Sequence, residues 1–338
     1  MNFTIILYTL CSFVLFFLIA KISNKLNFVD LPNKRKIHTK RIVYTGGTAI
    51  SVILILSVYL FNNSHNPIKF ILYVAFLISL VGFIDDKFIL NSVSKLSLQI
   101  IPIIYLIFFE KLTLNQLGDY DYFQFNLGVF GTIFTLICVL FLINSFNYFD
   151  GIDGLLSFTT ISTLAILFFL IADQDFRFFL ITILVPISLF LCFNFSFYKL
   201  PKMFLGDSGS LLLGFVISFI LIYLSNKNLT HPILLAWSVV IFVYEFLSIN
   251  LIRLKKNIDL FRGGQDHLHH LLLMKTNSVF FTNFLISSMN IILFITGYLC
   301  FTLVSSLASL ILFICLFIIF FIFRNKYFIA NAKISMKN

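Results

Sequence analysis

Long apolar runs alternate with short polar breaks along nearly the whole chain. Eleven runs qualify as membrane spans, at about 2–20, 46–62, 69–84, 96–110, 128–146, 155–172, 178–197, 209–225, 233–252, 278–300 and 306–323. A helix needs about 20 apolar residues to cross about 30 Å of hydrocarbon, and the runs at 46–62, 69–84 and 96–110 are the shortest. In lipid every backbone polar group must be satisfied within its own segment, so the runs predict helices. The pattern therefore predicts an all-α polytopic membrane protein of about eleven transmembrane helices. The longest polar stretches, about 21–45 and 253–276, are too short to bury a core of their own. One integral-membrane domain over 1–338 is expected. The first run has no basic leader and no small-residue cleavage site before Lys21, so it reads as a retained span.

Composition agrees and adds an orientation. Hydrophobic residues make up 60% of the 338 and charged residues 11%, against about half and a quarter in a soluble domain. The cysteines, Cys11, Cys138, Cys192, Cys300 and Cys315, all fall inside apolar runs without a CxxC pair, as small packed or lipid-facing hydrophobes do. No repeat or low-complexity segment occurs. Twenty of the 24 Lys and Arg residues fall on one set of alternate loops, 21–45, 85–95, 147–154, 198–208, 253–276 and the tail from Arg324. Positive charge marks the cytoplasmic side, which predicts an external N-terminus and a cytoplasmic C-terminus. The net charge of +10 is mostly this bias together with attraction to anionic headgroups, and it requires no nucleic-acid partner.

The acids then become informative. Asp85, Asp86, Asp150, Asp153 and Asp207 lie at the ends of apolar runs, never in the middle, and all fall on the predicted cytoplasmic side. A carboxylate at the bilayer centre costs roughly 2.5–3.5 kcal/mol on insertion scales, so acids this close to lipid point to a functional site.

Five segments carry candidate chemistry. In the basic run 34–41, Arg35 and His38 precede Gly46-Gly47 and could face phosphate, or could simply anchor the chain at the surface. Adjacent Asp85 and Asp86 repel unless a cation lies between them, which fits a metal site or a general base; Lys95 follows as a phosphate partner or a snorkelling anchor. Asn144, Asn147, Asp150 and Asp153 recur every third position, and on an α-helix each such step drifts about 60°, so the four cannot share a face. Gly151 and Gly154 resolve this: the Asn residues end a span and the Asp residues sit in an unwound turn lining a cavity. Asp207, between Gly206 and Gly209 at the start of a span, allows close approach of an ion or ligand beside helix N–H groups, or serves as a cap. His267, His269 and His270 have the ligand type for zinc but no fourth ligand or second cluster, so hydrogen bonding to phosphate is the better reading.

Together, Ile84-Asp85-Asp86, Asn144-x-x-Asn147-x-x-Asp150-Gly151-x-Asp153-Gly154, Gly206-Asp207-x-Gly209-Ser210 and His267-Leu268-His269-His270 resemble the polyprenyl-phosphate N-acetylhexosamine-1-phosphate transferases of glycosyltransferase family 4. The resemblance spans 31–271 in the family's order. It implies a bacterial plasma-membrane enzyme with a cytoplasmic active site built from 21–45, 85–95, 144–154, 198–210 and 253–276. With Mg²⁺ (or Mn²⁺), such an enzyme moves a sugar-1-phosphate, N-acetylglucosamine-1-phosphate first among the choices, from a UDP-N-acetylhexosamine to undecaprenyl phosphate and releases UMP. It starts a cell-envelope polysaccharide such as O-antigen or teichoic acid, and a homodimer is implied too.

Carried over by position, Asp207 and Asn147 look like the metal partners, Asp85 like the base or lipid-phosphate positioner with Asp86 assisting it, and Asp150 like a further catalytic carboxylate. Asp153 matches the uracil reader, with Asn144 beside it. The three histidines, Lys95, Arg35 and His38 match phosphate contacts. The chain departs from the pattern at Glu245, where relatives often carry Asp, and in having His-Leu-His-His rather than the peptidoglycan enzyme's three consecutive histidines. The histidine difference points to the O-antigen or teichoic branch, and the Gly263-Gly264-Gln265-Asp266-His267 segment, where the common-antigen enzymes usually have a longer Pro-containing loop, leaves the donor sugar open. The alternatives are the phospho-MurNAc-pentapeptide translocase and, in a different class, an ion-coupled transporter with acids at mid-span.

Overall fold

A computed structural model describes residues 2–31, 41–61, 66–88, 90–259 and 266–335. Arg35 and His38 lie outside the described residues. The helices, in order, are α1 (Asn2–Lys25), α2 (Gly46–Phe61), α3 (Asn66–Phe88), α4 (Ser92–Phe108), α5 (Gly131–Tyr148), α6 (Leu155–Leu170), α7 (Gln174–Asn194), α8 (Gly206–Asn226), α9 (Pro232–Ser238), α10 (Val240–Lys255), α11 (Leu268–Thr276), α12 (Val279–Leu303) and α13 (Ser306–Ser335). Two small antiparallel pairs accompany them, β1 (Val29–Asp30) with β2 (Ile42–Val43) and β3 (Gln116–Asp119) with β4 (Gln124–Asn126).

Each of the eleven apolar runs coincides with helix. Seven of these helices are long and apolar enough to cross a membrane. The pair α9 and α10 is long and apolar enough only when taken together, and it is bent by 74° at Val239 where the sequence predicts a continuous span. The other three runs form the shorter apolar helices α2, α4 and α6.

The centre is α8. Its membrane window is 94% buried within the protein, against 11% for α13 and 22% for α1, so α8 is wrapped by helices while α1 and α13 present apolar side chains outward. In lipid no hydrophobic drive holds helices together, so small residues at crossings let the backbones approach. Gly47 of α2 meets the α8 backbone at Gly209, where an added Cβ would lie 2.0 Å from the Gly209 nitrogen. Gly82 of α3 meets the same helix at Asp207, 2.4 Å from its carbonyl oxygen on the same measure. Gly214 packs against Ile143 of α5. Glycine on α2 and α3 thus brings the Asp85-Asp86 pair and the Gly46 turn close against the start of α8.

The predicted cytoplasmic segments meet at one end of the bundle. Ser23 and Thr45 share a hydrogen bond of 2.8 Å, Val43 pairs with Met203, and the Gly46 and Gly47 amides donate to the Phe204 and Leu205 carbonyls. At the other end, His231 bonds the Asp119 carbonyl at 3.0 Å, and the Ser306 hydroxyl donates to that carbonyl at 3.1 Å.

Candidate active site

The acidic half of the site is assembled from α3, α4, α5 and α8. Asp85 is buried on the last turn of α3, where its carboxylate accepts the Leu90 amide at 2.7 Å. Asp86, its neighbour, turns to the start of α8 and accepts the amides of Asp207 (2.9 Å) and Ser208 (3.2 Å). These are N–H groups that a helix start cannot satisfy itself, so Asp86 caps α8 from another helix. Gly206 makes the fit possible: its φ is +73°, and a Cβ there would fall 2.6 Å from Asp86 Oδ2 and 2.7 Å from the Tyr44 carbonyl.

Asn91 caps α4 by accepting the Ser94 amide at 2.8 Å, and the first turn carries Lys95 inward. Lys95 Nζ lies between two carboxylates, 2.7 Å from Asp85 Oδ2 and also bonded to Asp207 Oδ2. From the last turn of α5, Asn147 donates through Nδ2 to Asp207 Oδ1 (2.7 Å) and Ser210 Oγ (2.8 Å). Asp85, Asp207, Lys95 and Asn147 are therefore one hydrogen-bonded unit. Asn144 is not part of it: its amide donates back to the Leu140 carbonyl of its own helix at 2.7 Å.

The second half begins where α5 stops. Residues 149–154 form the expected unwound turn, which ends at Gly154 with φ +76° as α6 begins. Burial, and then the nearby charges of Asp207, Asp86 and Asp153, hold the Asp150 carboxyl well above the usual carboxylate range. Asp153 pairs with Lys202 at 2.6 Å, and its carbonyl accepts Asn283 of α12 at 2.8 Å.

The histidines close over this turn. His269 is 2% exposed, and an added Cβ on Gly151 would lie 2.1 Å from its Nε2. The His267 and His269 rings are parallel at 5.5 Å, and Tyr148 packs edge-on against His267 at 4.9 Å. Burial lowers the His267 pKa to about 4 and that of His269 well below the ordinary value, and it lowers His270 as well. At neutral pH these rings are therefore uncharged hydrogen-bonding groups. His267 Nδ1 and His269 Nε2 have no partner among the described residues.

The Asp85 and Asp207 carboxylates, the Asn147 amide and the Ser210 hydroxyl are hard oxygen donors of the kind that suits Mg²⁺ rather than zinc. The Lys95 ammonium between Asp85 and Asp207 shows that this space accepts a cation. Mg²⁺ typically takes one or two protein carboxylates and completes its shell with water and substrate phosphate, so the donor set fits. Asp207 would hold the ion, and a half-turn of the Asn147 amide would bring its oxygen to the same place.

Sequence reasoning gave no role to Lys202, Asn283 or Arg324, and quoted Ser210 only as part of a motif. An Asn within an apolar run was the available signal for Asn283, as for Asn290 in the same run; the others had only their position near a span end.

Carboxylates, a lysine and three neutral histidines thus gather at one end of a bundle of apolar helices. The sequence profile described as Glycosyl transferase family 4 matches residues 68–225. The undecaprenyl-phosphate alpha-N-acetylglucosaminyl 1-phosphate transferase of Pasteurella multocida is 32% identical over 282 residues, covering 81% of this chain and 79% of that protein. Enzymes of the same name from Haemophilus influenzae (29% identical, 77% and 76% covered) and Escherichia coli K12 (27%, 76% and 72%) are also similar. The chain belongs to glycosyl transferase family 4.

Proposed function

We propose that this protein transfers an N-acetylhexosamine-1-phosphate, N-acetylglucosamine-1-phosphate first among the candidates, from a UDP-sugar to undecaprenyl phosphate. UMP leaves, and the reaction starts a cell-envelope polysaccharide. The observation that carries the reading is the joining of Asp85, Lys95, Asn147 and Asp207 into one cluster at the end of the spans, in a chain whose relatives carry that activity in their names.

A phosphate oxygen of the lipid attacks the β-phosphorus of the UDP-sugar. The bond from that phosphorus to the bridging oxygen breaks, and UMP departs with the electron pair. The nucleophile is already an anion, so the chief obstacle is repulsion between two anionic reactants. Lys95 offsets that repulsion at the acidic cluster, where Asp85 orients the lipid phosphate and Asp86 fixes the N-terminus of α8 beneath it. Asp153 has one carboxylate oxygen on Lys202 and keeps the other for an N–H of the uracil ring. Held by Asp207 and Asn147, Mg²⁺ would supply charge neutralisation to the diphosphate and the departing UMP.

Because one reactant stays in the membrane, the site belongs at its surface. The arginine and lysine bias supports eleven spans with the N-terminus outside and the cluster at the cytoplasmic surface of the bacterial plasma membrane. Cysteine labelling of positions 150–154 from the cytoplasmic side tests that orientation.

The direct test is UMP release from undecaprenyl phosphate, Mg²⁺ and a panel of UDP-amino sugars by the detergent-purified protein. Release with UDP-N-acetylglucosamine that stops on chelation is the expected result. Folded protein that releases UMP with no sugar in the panel would sink the proposal.

A further inference from the structure

Glu245 of α10 and Arg324 of α13 belong to none of the motifs above. They are 1% and 3% exposed and form a two-pronged pair, Arg324 Nε to Glu245 Oε2 at 2.8 Å and Nη2 to Oε1 at 2.7 Å. A pair taken this far out of water gains little net stability, since desolvation cancels much of the attraction. Its other bonds provide a different account. Glu245 Oε1 also accepts the Leu268 amide at 2.8 Å, and Arg324 Nη2 also donates to the Asp266 carbonyl at 2.7 Å. Both land on main-chain atoms flanking His267. The Asp266 side chain is gripped in turn by Arg253, through Nε at 3.1 Å and Nη2 at 2.9 Å. Burial would raise the Asp266 pKa, but the Arg253 guanidinium outweighs it and keeps the carboxylate ionised.

We propose that Glu245 and Arg324 are positioning residues for the nucleotide-sugar site: they set the height of the histidine segment against the Asp150–Gly154 turn. The assignment rests on the transferase reading above. The local geometry makes the role specific. The pair bonds the backbone of 266–268 and leaves the imidazoles of His267 and His269, each with a buried nitrogen unpartnered among the described residues, for another partner. It also explains why α13, otherwise the least buried span, carries a buried arginine near its end. The last span is a strut that reaches the site through one guanidinium.

The test uses full-length protein in detergent and the double variant Glu245→Gln/Arg324→Met. It leaves no unpaired charge at the buried pair, and the carboxamide oxygen introduced on α10 can still accept the Leu268 amide. Steady-state kinetics are read separately for UDP-N-acetylglucosamine and undecaprenyl phosphate, and hydrogen exchange is read over 266–276 and 149–155. The variant should melt near wild type, raise KM for the nucleotide sugar about tenfold and leave KM for the lipid within about twofold. Exchange should quicken over 266–276 only. Arg324→Lys, which keeps the charge but reaches fewer partners, should fall between the two.

Wild-type KM and exchange in the double variant would overturn the proposal, as would equal rises in both KM values, the mark of general loosening. Wild-type protein that releases no UMP refutes the transferase reading instead, and the exchange measurement then decides the anchoring by itself.

Discussion

Gly151→Ala is the sharpest single test of how the two halves of the site depend on each other. The added methyl would lie 2.1 Å from His269 Nε2, 2.7 Å from Cε1 and 3.1 Å from Cδ2. Ordinary contact begins near 3.4 Å, so ring and turn must separate by at least about 1.3 Å. The ring has little room, being 2% exposed with His270 centred 4.2 Å away and His267 parallel at 5.5 Å. Gly151 itself is exposed, so the turn lifts instead and carries Asp150 and Asp153 with it.

Overpacking of this size costs about 1–3 kcal/mol, and an outward-moving turn places the stability loss at the low end. Catalysis is hit harder, because a misplacement of about 1 Å among positioned groups can cost about 10²-fold in rate. In the UMP-release assay kcat/KM for the nucleotide sugar should fall roughly tenfold to a hundredfold. The melting temperature should drop by only a few degrees. Adding His269→Ala removes the clash, so the double variant should regain thermal stability but not activity. Wild-type kinetics in Gly151→Ala would refute the reasoning, because the two motifs would then not need their contact.

Asp207→Asn should abolish turnover with little loss of folded protein, since it removes one charge from the cluster and leaves the helix packing intact; full activity would remove Asp207 from the chemistry. Asp153→Ala should raise KM for the nucleotide sugar several-fold more than KM for the lipid, and equal rises would remove its uracil role. Stability should also follow the histidines. With the His267 pKa about 4 when folded and about 6.5 when unfolded, protonation favours the unfolded chain. The contribution is intact above about pH 6.5 and declines towards pH 4, by at most about 3 kcal/mol for this group. Melting temperature measured from pH 7.5 down to 4.5 should fall, and His267→Gln should flatten the slope. An unchanged wild-type melting temperature across that range would contradict the buried, neutral ring.

The apolar pattern located every long helix because in lipid the backbone's demand for internal hydrogen bonds leaves few alternatives. The site motifs were legible for a related reason: acids, amides and glycines have no packing role at the end of an apolar run. Partners were not legible. Lys95 and Asp207 are 112 residues apart, and they meet because α4 packs on α3 and α5, which themselves pack on the central helix. Asp86 reads from sequence as an assistant to Asp85, yet its two bonds go to the start of α8. The helix α11 falls in a segment that reads as a polar loop. It begins where Glu245, 23 residues earlier in the chain, accepts the Leu268 amide.

The break between α9 and α10 was the least legible feature, and it bears on what kind of protein this is. No Gly or Pro marks Trp237-Ser238-Val239-Val240, so nothing local forces a bend of 74°. Side chains from two other helices satisfy the freed backbone groups. The Ser238 carbonyl accepts Thr163 Oγ1 at 3.0 Å and Asn290 Nδ2 at 3.2 Å, and the Ile241 amide donates to Asn290 Oδ1 at 3.3 Å. Broken helices in transporters leave such groups facing a substrate path near the membrane midplane. Here Trp237, Val239 and Val240 are all buried around the bend, so no such path borders it among the described residues. The one acid within α10, Glu245, is locked to Arg324 rather than free to carry a proton or ion. The consequence of the bend is where α10 leads: its length carries Glu245 and then Arg253 to the histidine segment, two side chains of that helix that hold 266–268 in place. The bent pair therefore belongs to the architecture of the transferase site, and among the described residues it supplies no element of a transport path.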